Sequence, residues 1–69
     1  MQYYDHYQLV FRLVEKRSDR TYAIQNKATG VITTRGTYDI VDMVETGGIV
    51  LENAYIRETD EGSILVKKS

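Results

Sequence analysis

Apolar side chains recur at every second position from Tyr7, so Tyr7, Leu9, Phe11 and Leu13 share one face of an extended segment, while Gln8, Arg12 and Lys16 stand on the other beside Val10 and Val14. This pattern predicts a long first strand. The polar stretch Arg17-Ser18-Asp19-Arg20 predicts a turn, and Thr21-Tyr22-Ala23-Ile24-Gln25 a second strand that aims Tyr22 and Ile24 at the core. Asn26-Lys27-Ala28-Thr29-Gly30 is a stronger turn signal, because asparagine favours the first position of a type I turn and glycine tolerates the left-handed position after it. Val31-Ile32-Thr33-Thr34-Arg35 then pairs back on the second strand, so the first half reads as a meander.

The period changes between Gly36 and Gly47. Ile40, Val41 and Val44 fall at helical spacing, Thr37 is placed to cap, Asp39 sits in the first turn, and Gly47 suits the terminating left-handed position. One short helix near 37–46 is expected, with an irregular connection as the alternative, because the β-branched content lowers helix propensity. The run from Ile49 to Glu58 reads as one long strand whose apolar face moves from odd positions (Ile49, Leu51) to even ones (Ala54, Ile56) near Asn53, which calls for a bulge or a corner there. Thr59-Asp60-Glu61-Gly62 and Ser63-Ile64-Leu65-Val66-Lys67-Lys68 complete a terminal hairpin.

The expected fold is therefore α+β and mainly β. It has five to six short antiparallel strands, a meander plus a C-terminal hairpin, and one short helix; a small closed β-barrel is the alternative. The long first strand carries no proline and no strong charge interruption, so it belongs in the centre of a sheet or across an interface.

Sixty-nine residues at 42% hydrophobic content leave room for one domain, 1–69, with 1–6 as a mobile or docking N-terminal arm. Domains of this size sit near energetic balance and are commonly braced by disulfides, metals or association. Cysteine is absent and His6 is the single histidine, so neither a disulfide nor a zinc cluster is expected, which leaves association. The first residues show no basic leader or apolar signal region, and no apolar run is long enough to span a bilayer; no membrane contact and a cytoplasmic location are expected.

Catalytic chemistry finds little to stand on. His6 neighbours Asp5, but adjacent residues on an extended segment point to opposite sides, so the acid is badly placed to orient the imidazole. The five glycines match neither a phosphate-binding loop nor a dinucleotide fingerprint. Asp39, Asp42 and Glu45 line one flank of the expected helix without the spacing of a calcium loop. The expectation is no enzyme, no cofactor, no metal and no small-molecule substrate.

Net charge is only −1, yet its distribution is uneven: Arg12, Lys16, Arg17, Arg20, Lys27 and Arg35 fall in the first half, and acids dominate from Asp39 to Glu61. If the meander and the helix occupy different sides, a basic and an acidic patch face apart, suited to self-association or to one charged partner. Tyr22, Tyr38 and Tyr55 are expected at the rim of the core with wet hydroxyls. Tyr3, Tyr4 and Tyr7 crowd one terminus and are the candidate protein-binding residues, since amphipathic tyrosines are enriched at interfaces. The alternative is single-stranded nucleic acid held by stacking on those tyrosines and by phosphate contacts from Arg12, Lys16, Arg17 and Arg20.

One stretch, Gly48-Ile49-Val50-Leu51-Glu52-Asn53-Ala54, resembles the middle strand of Sm-like barrels, without that family's upstream aspartate and asparagine at usable spacing, and no family is assigned on it. In its size and lack of cysteine the chain also resembles small accessory proteins of bacteriophages and other mobile elements. The expected function is a non-enzymatic interaction module that binds a protein partner or a second copy of itself.

Overall fold

The computed structural model describes residues 9–68. Strand β1 (Leu9–Ser18) grows from the alternating run and buries Phe11 and Leu13. It pairs antiparallel with β2 (Thr21–Asn26), which pairs antiparallel with β3 (Ile32–Gly36), so the meander is present. Strand β2 lies inside the sheet, and Tyr22, Ala23 and Ile24 are all buried. Asn26 nucleates the β2–β3 turn: its Oδ1 accepts the N–H groups of Ala28 (2.8 Å) and Thr29 (3.2 Å), and Gly30 takes φ +80°.

Two register shifts in β1, between Leu13 and Glu15 and between Lys16 and Ser18, alter the face assignment read from the sequence. Residues directly opposite in an antiparallel pair share a face. Arg12 lies opposite Gln25, Leu13 opposite Ile24 and Lys16 opposite Tyr22, so Lys16 stands on the core face with Tyr22 and Ile24 whereas Arg12 stands on the other. A strict two-residue period places Arg12 and Lys16 together; the extra residue of a bulge separates them.

Helix α1 (Thr37–Glu45) turns Ile40, Met43 and Val44 to the core. Thr37 does not cap it. The N-cap is Gly36 without a side-chain bond, and the Thr37 hydroxyl instead donates to the Arg20 carbonyl at 3.2 Å. The C-terminus closes as expected from Gly47: φ is +81°, the Gly47 N–H reaches the Val44 carbonyl (3.0 Å) and the Gly48 N–H the Met43 carbonyl (2.9 Å), the two bonds of a Schellman motif.

Strand β4 (Ile49–Leu51) pairs with β1 in parallel, giving sheet order β3-β2-β1-β4. This corrects the all-antiparallel expectation. Strand β3 runs in the direction of β1 because each is antiparallel to β2, and α1 then carries the chain from the β3 edge to the opposite edge, where β4 enters in that same direction.

The face shift near Asn53 is a corner: the chain leaves the first sheet after Leu51 and begins a separate two-stranded sheet of β5 (Ala54–Thr59) and β6 (Gly62–Lys67). The sheets do not close into a barrel. A shared core of Phe11, Leu13, Tyr22, Ile24, Ile40, Ile49, Leu51, Ala54 and Leu65, flanked by Met43, Val44 and Ile56, joins the four-stranded sheet, the helix and the hairpin. Leu9 faces the same side but sits half-exposed at the end of the sheet. No helix among the described residues is long and apolar enough to cross a membrane.

Candidate protein-binding surface

Three elements leave an open cleft of about 890 Å³ between them: the β1–β2 turn, the exposed side of α1, and the tip of the β5–β6 hairpin. Each wall is held locally. At the first, the backbone N–H of Thr37 donates to the Arg20 carbonyl at 2.7 Å, fastening the start of the helix to the turn. The bulged end of β1 brings Lys16 onto this side. At the third wall, the Thr59 hydroxyl donates to the Gly62 carbonyl (2.7 Å) and the Ser63 hydroxyl to Glu58 Oε2 (2.8 Å), ordering the hairpin tip.

Charge in the cleft is mixed and net acidic. Lys16 and Arg20 stand with Asp19 on one side, and Glu45, Glu58 and Glu61 come from the helix and hairpin. Among the described residues the ion pairs are Arg12–Glu52, Arg17–Glu15 and Lys27–Glu52, so none of the cleft's charges is matched within 4.0 Å. The basic first half and acidic second half therefore meet across one cleft here instead of facing apart. The apolar part of the lining is Val41 and Ile64, with Tyr38 beside them. Tyr38 is 85% exposed.

That exposure corrects the expectation for Tyr38. Tyr22 is buried, as read, because it alternates with Ile24; Tyr38 lies two residues before Ile40, about 200° around a helix of 3.6 residues per turn, and so points away from the core. Tyr55 is likewise half-exposed at 47%, on the outer face of the hairpin opposite Val66. Helical phase was the signal available in the sequence for Tyr38.

Tyr3, Tyr4 and Tyr7, and the arm 1–6, lie outside the described residues. Of the cations selected for nucleic acid, Lys16 and Arg20 share the cleft. Arg12 lies on the opposite face of the sheet, 3.9 Å from Glu52, whose carboxylate also accepts both Lys27 bonds (2.9 and 2.8 Å). Arg17 leans on Glu15 at 3.1 Å. The four are divided, and two of them face a carboxylate.

No family model, curated protein or solved structure matches the chain.

Proposed function

We propose that this protein is a non-enzymatic interaction module that receives a segment of a protein partner in the cleft, with Tyr38 as its anchor. The observation that carries this reading is a tyrosine left 85% exposed beside Val41 and Ile64, ringed by charges that no opposite charge among the described residues meets within 4.0 Å. Solvating a ring of that size gives up apolar burial worth roughly 1.5–3 kcal/mol, which a partner recovers on docking. Tyrosine is also enriched among residues that dominate binding energy.

The cleft's chemistry indicates a segment with an apolar side chain for the Tyr38–Ile64 patch and at least one cation for Glu58 and Glu61. Lys16 and Arg20 on the facing wall would select against an all-cationic sequence, so the preferred segment carries both signs.

Selection from a displayed random-peptide library tests this. The expected result is enrichment of sequences combining an apolar residue with Lys or Arg, bound roughly tenfold or more weakly by Tyr38→Ser and less tightly by a Glu58→Gln, Glu61→Gln double variant. No enrichment, or binding indifferent to Tyr38→Ser, overturns the reading. Affinity for single-stranded DNA that falls steeply with salt and is lost on replacing Lys16 and Arg20 would replace it with the nucleic-acid reading.

A further inference from the structure

Strand β3 is an edge of the four-stranded sheet, and the phase of its backbone can be fixed. Just beyond either end, the Asn26 N–H donates to the Val31 carbonyl (2.9 Å) and the Thr37 N–H to the Arg20 carbonyl (2.7 Å). Between these points the register is continuous, so the Val31 carbonyl and the backbone groups of Thr33 and Arg35 point at β2, and Ile32 and Thr34 direct theirs outward. No backbone bond beyond the sheet engages Ile32 or Thr34 among the described residues.

Among the described residues this edge is only lightly guarded. Strand β3 has no proline, no lysine and no bulge, and its one charge, Arg35, stands opposite Tyr22 on the core face near the end of the strand, away from Val31 and Ile32. Val31 and Ile32 are 57% and 49% exposed beside the free groups. A lightly guarded edge with exposed β-branched residues is a template for another strand.

We propose that two copies of this chain join along β3, antiparallel, with the Thr33 residues facing each other across a two-fold axis. The strand's own sequence favours this register over the two centred closer to α1. A centre at Arg35 would set two guanidinium groups opposite each other, and cross-strand like charges destabilise. A centre at Thr34 would require Ile32 to pair with Gly36, where the chain is already turning into α1. With Thr33 at the centre, Ile32 meets the second copy's Thr34 and Val31 meets its Arg35. The Ile32 N–H then donates to the facing Thr34 carbonyl and the Thr34 N–H to the facing Ile32 carbonyl, twice by symmetry. The two Ile32 side chains come within diagonal reach, roughly 7–8 Å, on the sheet face away from the helix. The result is a continuous eight-stranded sheet, formed without use of the cleft.

The absence of cysteine makes the register directly testable. Thr33→Cys puts one thiol in each chain, and facing residues of a non-hydrogen-bonded pair sit about 4.5 Å apart at Cα, inside the range a disulfide accepts. The expected result is rapid, near-complete disulfide dimerisation of Thr33→Cys under mild oxidation at low micromolar concentration, with Thr34→Cys and Ile32→Cys much slower. Sedimentation of the unmodified protein should show a monomer–dimer equilibrium. Thr34→Pro removes an outward N–H that no described residue engages and should give a folded monomer. Should that variant not fold, Thr34→Lys, which places two cations near the axis, should weaken association at least tenfold. A protein that sediments as a monomer up to sub-millimolar concentration, preferential cross-linking at another position, or a dimer untouched by Thr34→Lys overturns the proposal. Retention of peptide binding by the Thr34 variants would separate its failure from that of the cleft.

Discussion

At the scale of single residues, Asn53 does most to join the two sheets. Its Oδ1 accepts the Leu13 N–H at 2.7 Å and its Nδ2 donates to the Leu13 carbonyl at 3.0 Å, so the side-chain amide takes the place of a strand residue where β4 has ended. The Glu52 N–H donates to the Phe11 carbonyl just before it, and the Asn53 carbonyl accepts the Lys68 N–H from the end of β6. Asn53→Ala leaves two half-buried backbone groups without partners, a loss of about 2 kcal/mol and, for a domain this small, roughly 8–16 °C in Tm. Asn53→Asp is also expected to destabilise, since an ionised carboxylate accepts from Leu13 but cannot donate to its carbonyl. Thermal unfolding of both variants checks this; an aspartate as stable as the parent would show that the donated bond contributes nothing. The corner was legible in the sequence, because the apolar face changes parity at Asn53. Its partner was not, since a contact 40 residues away leaves no local periodic trace. Tyr38 is the opposite case: its exposure is written locally, in the helical phase that the neighbouring Ile40 and Val44 define.

At the scale of elements, local chemistry and long-range pairing divide the fold into what could and could not be foreseen. The β1–β2–β3 meander, the helix and the terminal hairpin are joined by turns whose residues signal themselves: Asn26 with its two accepted N–H groups, Gly30 and Gly47 at positive φ, and Gly62 at φ +118°. The parallel β1–β4 pair has no such marker. Strand β4 is three residues long, and its placement follows from where α1 delivers the chain, which depends on Ile40, Met43 and Val44 packing over the sheet. The bulges in β1 are equally silent in sequence, and they decide that Lys16 belongs to the cleft while Arg12 does not. The helix terminus offers the sharper test of this dependence. Gly47 holds left-handed backbone that an L side chain enters at a cost of roughly 1–2 kcal/mol, and it directs the chain into β4. Gly47→Ala is therefore expected to lower stability by that amount in denaturant unfolding while leaving the fold intact. Gly47→Asn should recover part of the loss, because asparagine tolerates that conformation better than alanine. Equal losses in the two variants would mean that the backbone at 47 can relax.

At the scale of the molecule, the same small core has to support an open cleft and a lightly guarded sheet edge, so the association proposed along β3 would be linked to stability. Burying nine side chains in one cluster orders the described fold, yet chains of this size stay close to the point where conformational entropy offsets burial. A dimer that dissociates as it unfolds gains stability by mass action: each tenfold rise in protein concentration adds about 1.4 kcal/mol per dimer, or about 0.7 kcal/mol per chain. With 4–8 °C per kcal/mol for a domain of this size, Tm should climb by roughly 3–6 °C per decade of concentration above the dissociation constant. Calorimetry across a hundredfold dilution series measures that slope without any label or substitution. Thr34→Lys should flatten it and converge on the dilute-limit Tm of the parent, because the lysine sits on an exposed edge and alters association without disturbing the core. A Tm that is flat in both proteins would mean that the edge remains solvated and each copy stands on its own core. A slope that survives Thr34→Lys would place the association on another surface, and the exposed Tyr38–Ile64 patch of the cleft would then be the first to test with the same dilution series.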